Sequence, residues 1–245
     1  MGRQLICCCL ALTCLGCLAQ RTVDVDKNTG VGTDALNQLY MVNGVPFVQA
    51  KFSRVVEGSP FFNKEMMRGA IILSKGREYK NILVRLNLPE TQVNYIDEKQ
   101  MEMIATTPVR EVVLWDTIAQ KDYRFVYSDY IEAGEVKPEK DFYELLYNGK
   151  AELYKQYKKE MTESRPYGSA TYEQTIHEQA LYYVLLDGKW IRAKKVKNLP
   201  EILSKEKIKI QQFISDNKLY ADNDDNFIAV IDYYNSLMTP KQQIN

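Results

Sequence analysis

From Tyr79 to Leu88 the chain reads Tyr-Lys-Asn-Ile-Leu-Val-Arg-Leu-Asn-Leu, with Ile82, Val84, Leu86 and Leu88 on one face and Arg85 and Asn87 on the other. A period of two is the pattern of a strand with one buried face, and a helix of this length would repeat its apolar residues every three to four positions instead. A second β-branched run, Ala70 to Leu73, precedes it across Ser74-Lys75-Gly76-Arg77, so the two are expected to form a hairpin. Shorter runs follow at Gln92 to Ile96, Met101 to Ala105, Val109 to Trp115 and Tyr123 to Tyr127, broken at Pro89-Glu90 and Thr107-Pro108. Short strands at such close spacing predict a meandering antiparallel sheet rather than alternating βαβ units.

Two further hairpins are predicted. Phe142 to Tyr147 and Ala151 to Tyr157 flank Asn148-Gly149, while Leu181 to Leu186 and Lys189 to Lys195 flank Asp187-Gly188. Asn-Gly and Asp-Gly supply the positive-φ pair of a type I′ turn. The two segments share a pattern, but one recurrence does not make a repeat. After Leu199 the period lengthens. Leu199-Pro200-Glu201 opens a helical turn, Ser204 is placed to cap a helix to about Ile214, and Asp224 or Asp225 to cap another carrying Phe227, Val230, Ile231 and Tyr234. The expected class is α+β, a predominantly antiparallel sheet of meander and hairpins with a C-terminal helical pair packed on it. In chain order this gives a signal segment over 1–19, a leader of weak structure over 20–58, a β body over 59–198 and a helical segment over 199–245. Within the leader, Ala35 to Val56 is read as room for a short helix and an edge strand.

Met1 to Ala19 predicts an export signal. Arg3 is a short positive head, Leu5 to Leu15 is an apolar run too short to span a bilayer, and Cys17 and Ala19 form a small-residue cleavage site. Cys7, Cys8, Cys9, Cys14 and Cys17 are all the cysteines, so cleavage after Ala19 leaves a chain without disulfides or thiol chemistry. Two alternatives compete at this end. In one, Cys14-Leu15-Gly16-Cys17 is a lipobox and Cys17 carries a lipid anchor, although Cys14 stands where Leu is usual. In the other, Met1-Gly2 and the cysteines are acylation sites, although Ile6 stands where Ser or Thr is required. The expected location is the periplasm, the outer membrane surface or the extracellular space.

Removing Arg3 leaves 31 basic against 32 acidic residues, and this balance does not fit a nucleic-acid partner. The basic clusters at Lys155 to Lys159 and Lys189 to Lys197 are mixed with apolar residues and read as solvated faces. No later apolar stretch approaches the length of a spanning helix. Tyrosine is the enriched residue, 17 against 8 Phe and 2 Trp, which suits strand faces, cross-strand pairs and sugar-stacking surfaces alike.

His177 is the single histidine, which with no mature cysteine excludes the common His/Cys zinc sites. No nucleophile elbow surrounds Ser53, Ser59, Ser74, Ser128, Ser164 or Ser169. Asp222-Asn223-Asp224-Asp225-Asn226 spaces oxygen ligands like a calcium loop, but Phe227 and Tyr233 occupy its Gly and closing Glu positions, so helix capping is the simpler reading. Gly30-Val31-Gly32 lies in the polar leader without a preceding strand and implies no nucleotide cofactor. Glu98 with Glu102, and Glu132 with Glu135, are acidic pairs of the kind a glycosidase uses, a role that depends on their separation in space. No catalytic, cofactor-binding or metal residue is assigned.

The chain resembles a broad set of secreted proteins of unknown function from Bacteroidota. The resemblance lies in Asn63-Lys64-Glu65 leading into Gly69-Ala70-Ile71-Ile72-Leu73 with Gly76 and Tyr79, then Leu86-Asn87-Leu88. It continues in Tyr147-Asn148-Gly149-Lys150, in Ile210-Gln211-Gln212-Phe213-Ile214 with Asn217-Lys218-Leu219, and in Tyr233-Tyr234-Asn235-Ser236-Leu237. These motifs are turns, strand faces and helix ends. They imply an exported envelope or extracellular protein with a β-rich body and bring no catalytic residues. The expectation is a non-catalytic protein that binds a protein or glycan partner; the alternative is a carboxylate-dependent hydrolase of envelope or dietary polymers, with Trp115 and Trp190 as the aromatics to watch.

Overall fold

A computed structural model describes residues 42–48 and 53–239. The signal segment, the cysteines, most of the leader and the last six residues lie outside the described residues. Twelve strands join one sheet: β1 (Gly44–Pro46), β2 (Ser53–Glu57), β3 (Met67–Leu73), β4 (Glu78–Asn87), β5 (Gln92–Ile96), β6 (Glu102–Ala105), β7 (Val109–Asp116), β8 (Lys121–Tyr127), β9 (Phe142–Tyr147), β10 (Ala151–Ser164), β11 (Tyr172–Leu186) and β12 (Lys189–Ala193). Their order is β1-β6-β5-β4-β3-β7-β8-β9-β10-β11-β12, with β2 pairing β11 off this path. Two meanders therefore run outward from β3, one through β4, β5 and β6, the other from β7 to β12. Every pairing is antiparallel except β2 on β11.

The alternation in β4 lands as expected, with Val84, Leu86 and Leu88 in the core beside Ile71, Val112, Leu114 and Phe125. Further along the sheet, Ala151, Leu153, Val184 and Leu186 carry the helices. Intervening residues reach the opposite face, where Val126, Tyr143, Tyr154, Leu185 and Trp190 form a separate core under Ile131 and Ala133. Most of the tyrosine surplus is spent on packing of this kind: Trp190 stacks on Tyr183 at 4.9 Å and meets Tyr143 edge-on at 5.2 Å.

Asp187 and Gly188 take φ of 49° and 75°, as a type I′ turn requires. Asn148-Gly149 does not. Neither residue has positive φ, Tyr147 pairs with Leu153 rather than Lys150, and the ladder shifts register after that pair. The glycine serves space instead of dihedral freedom, because a Cβ on Gly149 would lie 2.9 Å from the Asn235 side chain.

Among the described residues the C-terminal part holds the expected helical turn at Leu199-Pro200-Glu201 as the single-turn helix α1 (Leu199–Ile202), and two longer helices, α2 (Lys207–Asp216) and α3 (Asp224–Met238), with 3-10 turns at Val196–Asn198 and Ser204–Glu206. Ser204 starts the second 3-10 turn and makes no capping bond to α2. The cap of α3 is Asn223, whose side chain accepts from the Asn226 backbone N–H at 3.0 Å, so Asp224 and Asp225 fall in the first turn, facing the positive end of the helix. Phe227, Val230, Ile231 and Tyr234 are all fully buried against the sheet. Asn235 adds a polar clamp, accepting from the Ala151 N–H at 2.8 Å and donating to the Ala151 and Ile231 carbonyls at 2.9 Å.

Candidate interaction surface

Strands β10 and β11 are 14 and 15 residues long and stay paired without a break from Ala151↔Leu186 to Ser164↔Glu173. Their inner halves are buried on both faces, Leu153 and Val184 against the helices and Tyr154 and Leu185 in the opposite core. From Lys158 outward β10 turns to Lys-Lys-Glu-Met-Thr-Glu-Ser, and its side chains are exposed on both faces save that of Lys159. This outer hairpin is an arm, widened to three strands where β2 runs parallel to Tyr172–Thr175. Lys159 ties its root to the body. Its side chain is only 5% exposed, and its ammonium donates to the Ser59 and Phe61 carbonyls at 2.9 and 2.8 Å and lies 2.8 Å from Glu178 Oε2. That fixes the segment carrying Phe62, whose ring meets Tyr123, Phe125 and Tyr157 edge-on at 4.8–5.0 Å.

The arm ends in the turn 165–171. Arg165 Nε donates to the Ser169 carbonyl at 2.8 Å, and its guanidinium lies over the Tyr172 ring at 5.4 Å. Tyr167 between them is fully exposed. Val55, Val56, Met161 and Tyr172 are exposed on the same arm. Apolar side chains gathered on one projection, rimmed by charge, are the usual composition of a protein contact.

A second concentration of polar groups lies at the seam between the helical core and the β3–β8 core. Tyr157 Oη donates to Glu144 Oε2 at 2.5 Å, and Lys121 Nζ stands 3.4 Å from Glu144 Oε1. Lys155 Nζ donates to both oxygens of Asp224 at 2.9 Å, and Tyr182 Oη donates to Oδ1 at 2.6 Å. Burial pushes the Tyr157 phenol well up, and the Glu144 charge and hydrogen bond add to this; burial and the Asp224 bond do the same to Tyr182. Burial also works to raise Asp224, but the bonds from Tyr182 and Lys155 and the lysine charge outweigh it and hold the carboxyl below its ordinary range. Each carboxylate is engaged by a lysine and a tyrosine, which fits a lock between the first turn of α3 and the sheet. On the other face, burial raises Asp141 against the bonds it accepts from Gln156 and the Phe142 N–H.

The residues singled out in the sequence do not converge. His177 is exposed on the arm opposite Glu160, and among the described residues no serine hydroxyl bonds to it. Glu102 is held by Arg85 at 2.7–3.0 Å and by Asn94 at 2.6 Å, away from exposed Glu98. Glu132 and Glu135 are exposed on the loop after β8. Asp222 accepts from the Val196 N–H while Asp224 turns to the seam, so the acidic run splits between two structural tasks. Trp190 is a core residue and Trp115 lies half-buried on β7. Among the described residues no three His, Cys, Asp or Glu side chains gather to hold a metal ion. A cleft of about 270 Å³ at the ends of β5, β6 and β8 is walled by Tyr127 and Tyr130 but lined by one carboxylate, Asp129, itself paired with Lys140. A hollow at the arm's tip, lined by 165–170, has none. Neither brings two acids together. The seam is not readable from the sequence, since Glu144, Lys155 and Asp224 are 11 and 69 residues apart along the chain and only Tyr157 and Tyr182 hint at polar tips in a core.

No family model, curated protein or solved structure matches the chain. Among the described residues no helix is long and apolar enough to cross a membrane.

Proposed function

We propose that this is an exported, non-catalytic binding protein of the bacterial envelope or extracellular space, and that it meets a partner protein through the β10–β11–β2 arm. The observation that carries the reading is the arm itself: a continuously paired hairpin with exposed faces, rooted by a buried lysine and ending in a fully exposed tyrosine. A rigid projection of this kind offers strand edges and apolar anchors at little ordering cost. The Met1 to Ala19 segment and the resemblance to secreted Bacteroidota proteins support export.

The test is affinity capture from envelope fractions with two forms of the chain, one intact and one with residues 165–172 replaced by Asn-Gly, which joins the paired Ser164 and Glu173 through a two-residue turn. The intact protein is expected to retain a partner that the shortened one loses. Equal capture by both forms refutes the arm as the contact surface.

A further inference from the structure

The partner reading above leaves open what pairs with the outer edge of β2. On one side this strand bonds to β11; on the other, nothing among the described residues pairs with it. Arg54, Val55, Val56 and Glu57 are all exposed. An open edge of this kind is a template for another strand.

The local register determines what that strand is. Ser53, Arg54 and Val55 pair with Tyr172, Glu173 and Gln174, and Glu57 pairs with Thr175, so Val56 is the extra residue of a bulge. In an unbroken strand, residues three apart point to opposite faces. The bulge cancels that: Arg54 and Glu57 both lie on the face of Glu173 and Thr175, with Val55 between them on the other face. A two-fold axis perpendicular to the sheet keeps each residue on its own face, so two antiparallel copies can place only same-face residues opposite one another. Centred on Val55, the two-fold sets Arg54 against Glu57 of the second copy, Glu57 against its Arg54, and Val55 against Val55. Without the bulge the same four residues would put each charge on the wrong side. Arg54 already donates through Nη2 to Glu173 Oε1 at 2.8 Å and keeps its other N–H groups for a second carboxylate.

We propose that β2 pairs antiparallel with β2 of a second copy of this chain, joining two arms into one six-stranded sheet through two Arg54–Glu57 pairs. This rests on the arm being a contact surface but concerns its edge and not its tip. The interface is small, so a self-dissociation constant on the order of 100 μM is expected.

Sedimentation equilibrium of the protein from Gln20 onward tests it with three variants. Glu57→Arg sets arginine against Arg54 twice while leaving the Arg54–Glu173 pair intact, and Arg54→Glu sets two carboxylates against each other. Each is expected to weaken dimerisation about tenfold or more. The double variant R54E/E57R restores opposite charges across the two-fold and should dimerise again, although it leaves a second carboxylate beside Glu173. A wild-type protein monomeric at about 1 mM overturns the pairing, as does a dimer that the single reversals leave intact or the double reversal fails to restore. The tip replacement leaves Arg54, Glu57 and Glu173 in place, so loss of the captured partner and loss of the dimer are separate results.

Discussion

Replacing Lys159 with Met tests whether a buried ammonium roots the arm. The lysine makes three polar contacts, two to backbone carbonyls of the 59–61 segment and one to Glu178, and its side chain is nearly out of solvent. Methionine keeps the apolar stem and removes every donor. A buried acceptor left without its partner costs about 1–3 kcal/mol. Ser59 and Phe61 are half-buried, so water replaces part of the loss at each carbonyl. Removing the charge also relieves the desolvation of the ammonium, which offsets another part. The net expected loss is about 2 kcal/mol, or roughly 4–8 °C in Tm for a chain of this size. Urea unfolding followed by tryptophan fluorescence measures it as a lower midpoint with an unchanged slope. Phe62→Ala, which empties the ring contacts to Tyr123, Phe125 and Tyr157, should cost about 3–5 kcal/mol and be non-additive with Lys159→Met, because both release one segment. An unchanged midpoint for Lys159→Met, or strict additivity with Phe62→Ala, refutes the reasoning.

Two other substitutions probe how the helices are held. Asn235→Ala removes two hydrogen bonds that tie α3 to the first residue of β10 and a third to the Ile231 carbonyl within α3, and should cost about 2–3 kcal/mol in urea unfolding, whereas a loss under about 0.5 kcal/mol would mean that the apolar face of α3 suffices. At the seam, the Asp224 carboxyl is held below its unfolded value, so its stabilising effect is fully present above the ordinary carboxylate range, near about pH 4, and disappears as pH falls through the folded value. Acid unfolding of the wild-type protein and Asp224→Asn should therefore differ at neutral pH and converge in acid; curves that stay parallel contradict the lock.

The sheet is legible in the sequence where one face is dry. The Ile82–Leu88 alternation, the Asp187-Gly188 turn and the Phe227–Tyr234 stripe each follow from burying a single side, and each falls where the residues put it. The arm is understated by its residues because its outer strands bury little, Lys159 on β10 and Ile176 on β11, and so carry no sustained period: the apolar run that marks β11 starts at Leu181, nine residues after the strand's actual beginning at Tyr172. Asn148-Gly149 misleads for the reverse reason, since its glycine answers to Asn235 on a helix 86 residues away and not to a local dihedral. The same long-range logic hides the seam, where Glu144, Lys155 and Asp224 meet only after the two meanders and α3 are in place. The bulge at Val56 is likewise invisible in Ser-Arg-Val-Val-Glu until β11 lies beside it.

The central claim is that the arm's tip is where this protein is touched. Exchanging Tyr167 for a photo-crosslinking phenylalanine analogue, with the same exchange at Ile118 on the equally exposed β7–β8 turn as control, reads that contact directly in envelope preparations. A crosslinked species of one defined mass from position 167 and none from 118 is the predicted result; silence at 167, or the same products from both positions, contradicts it.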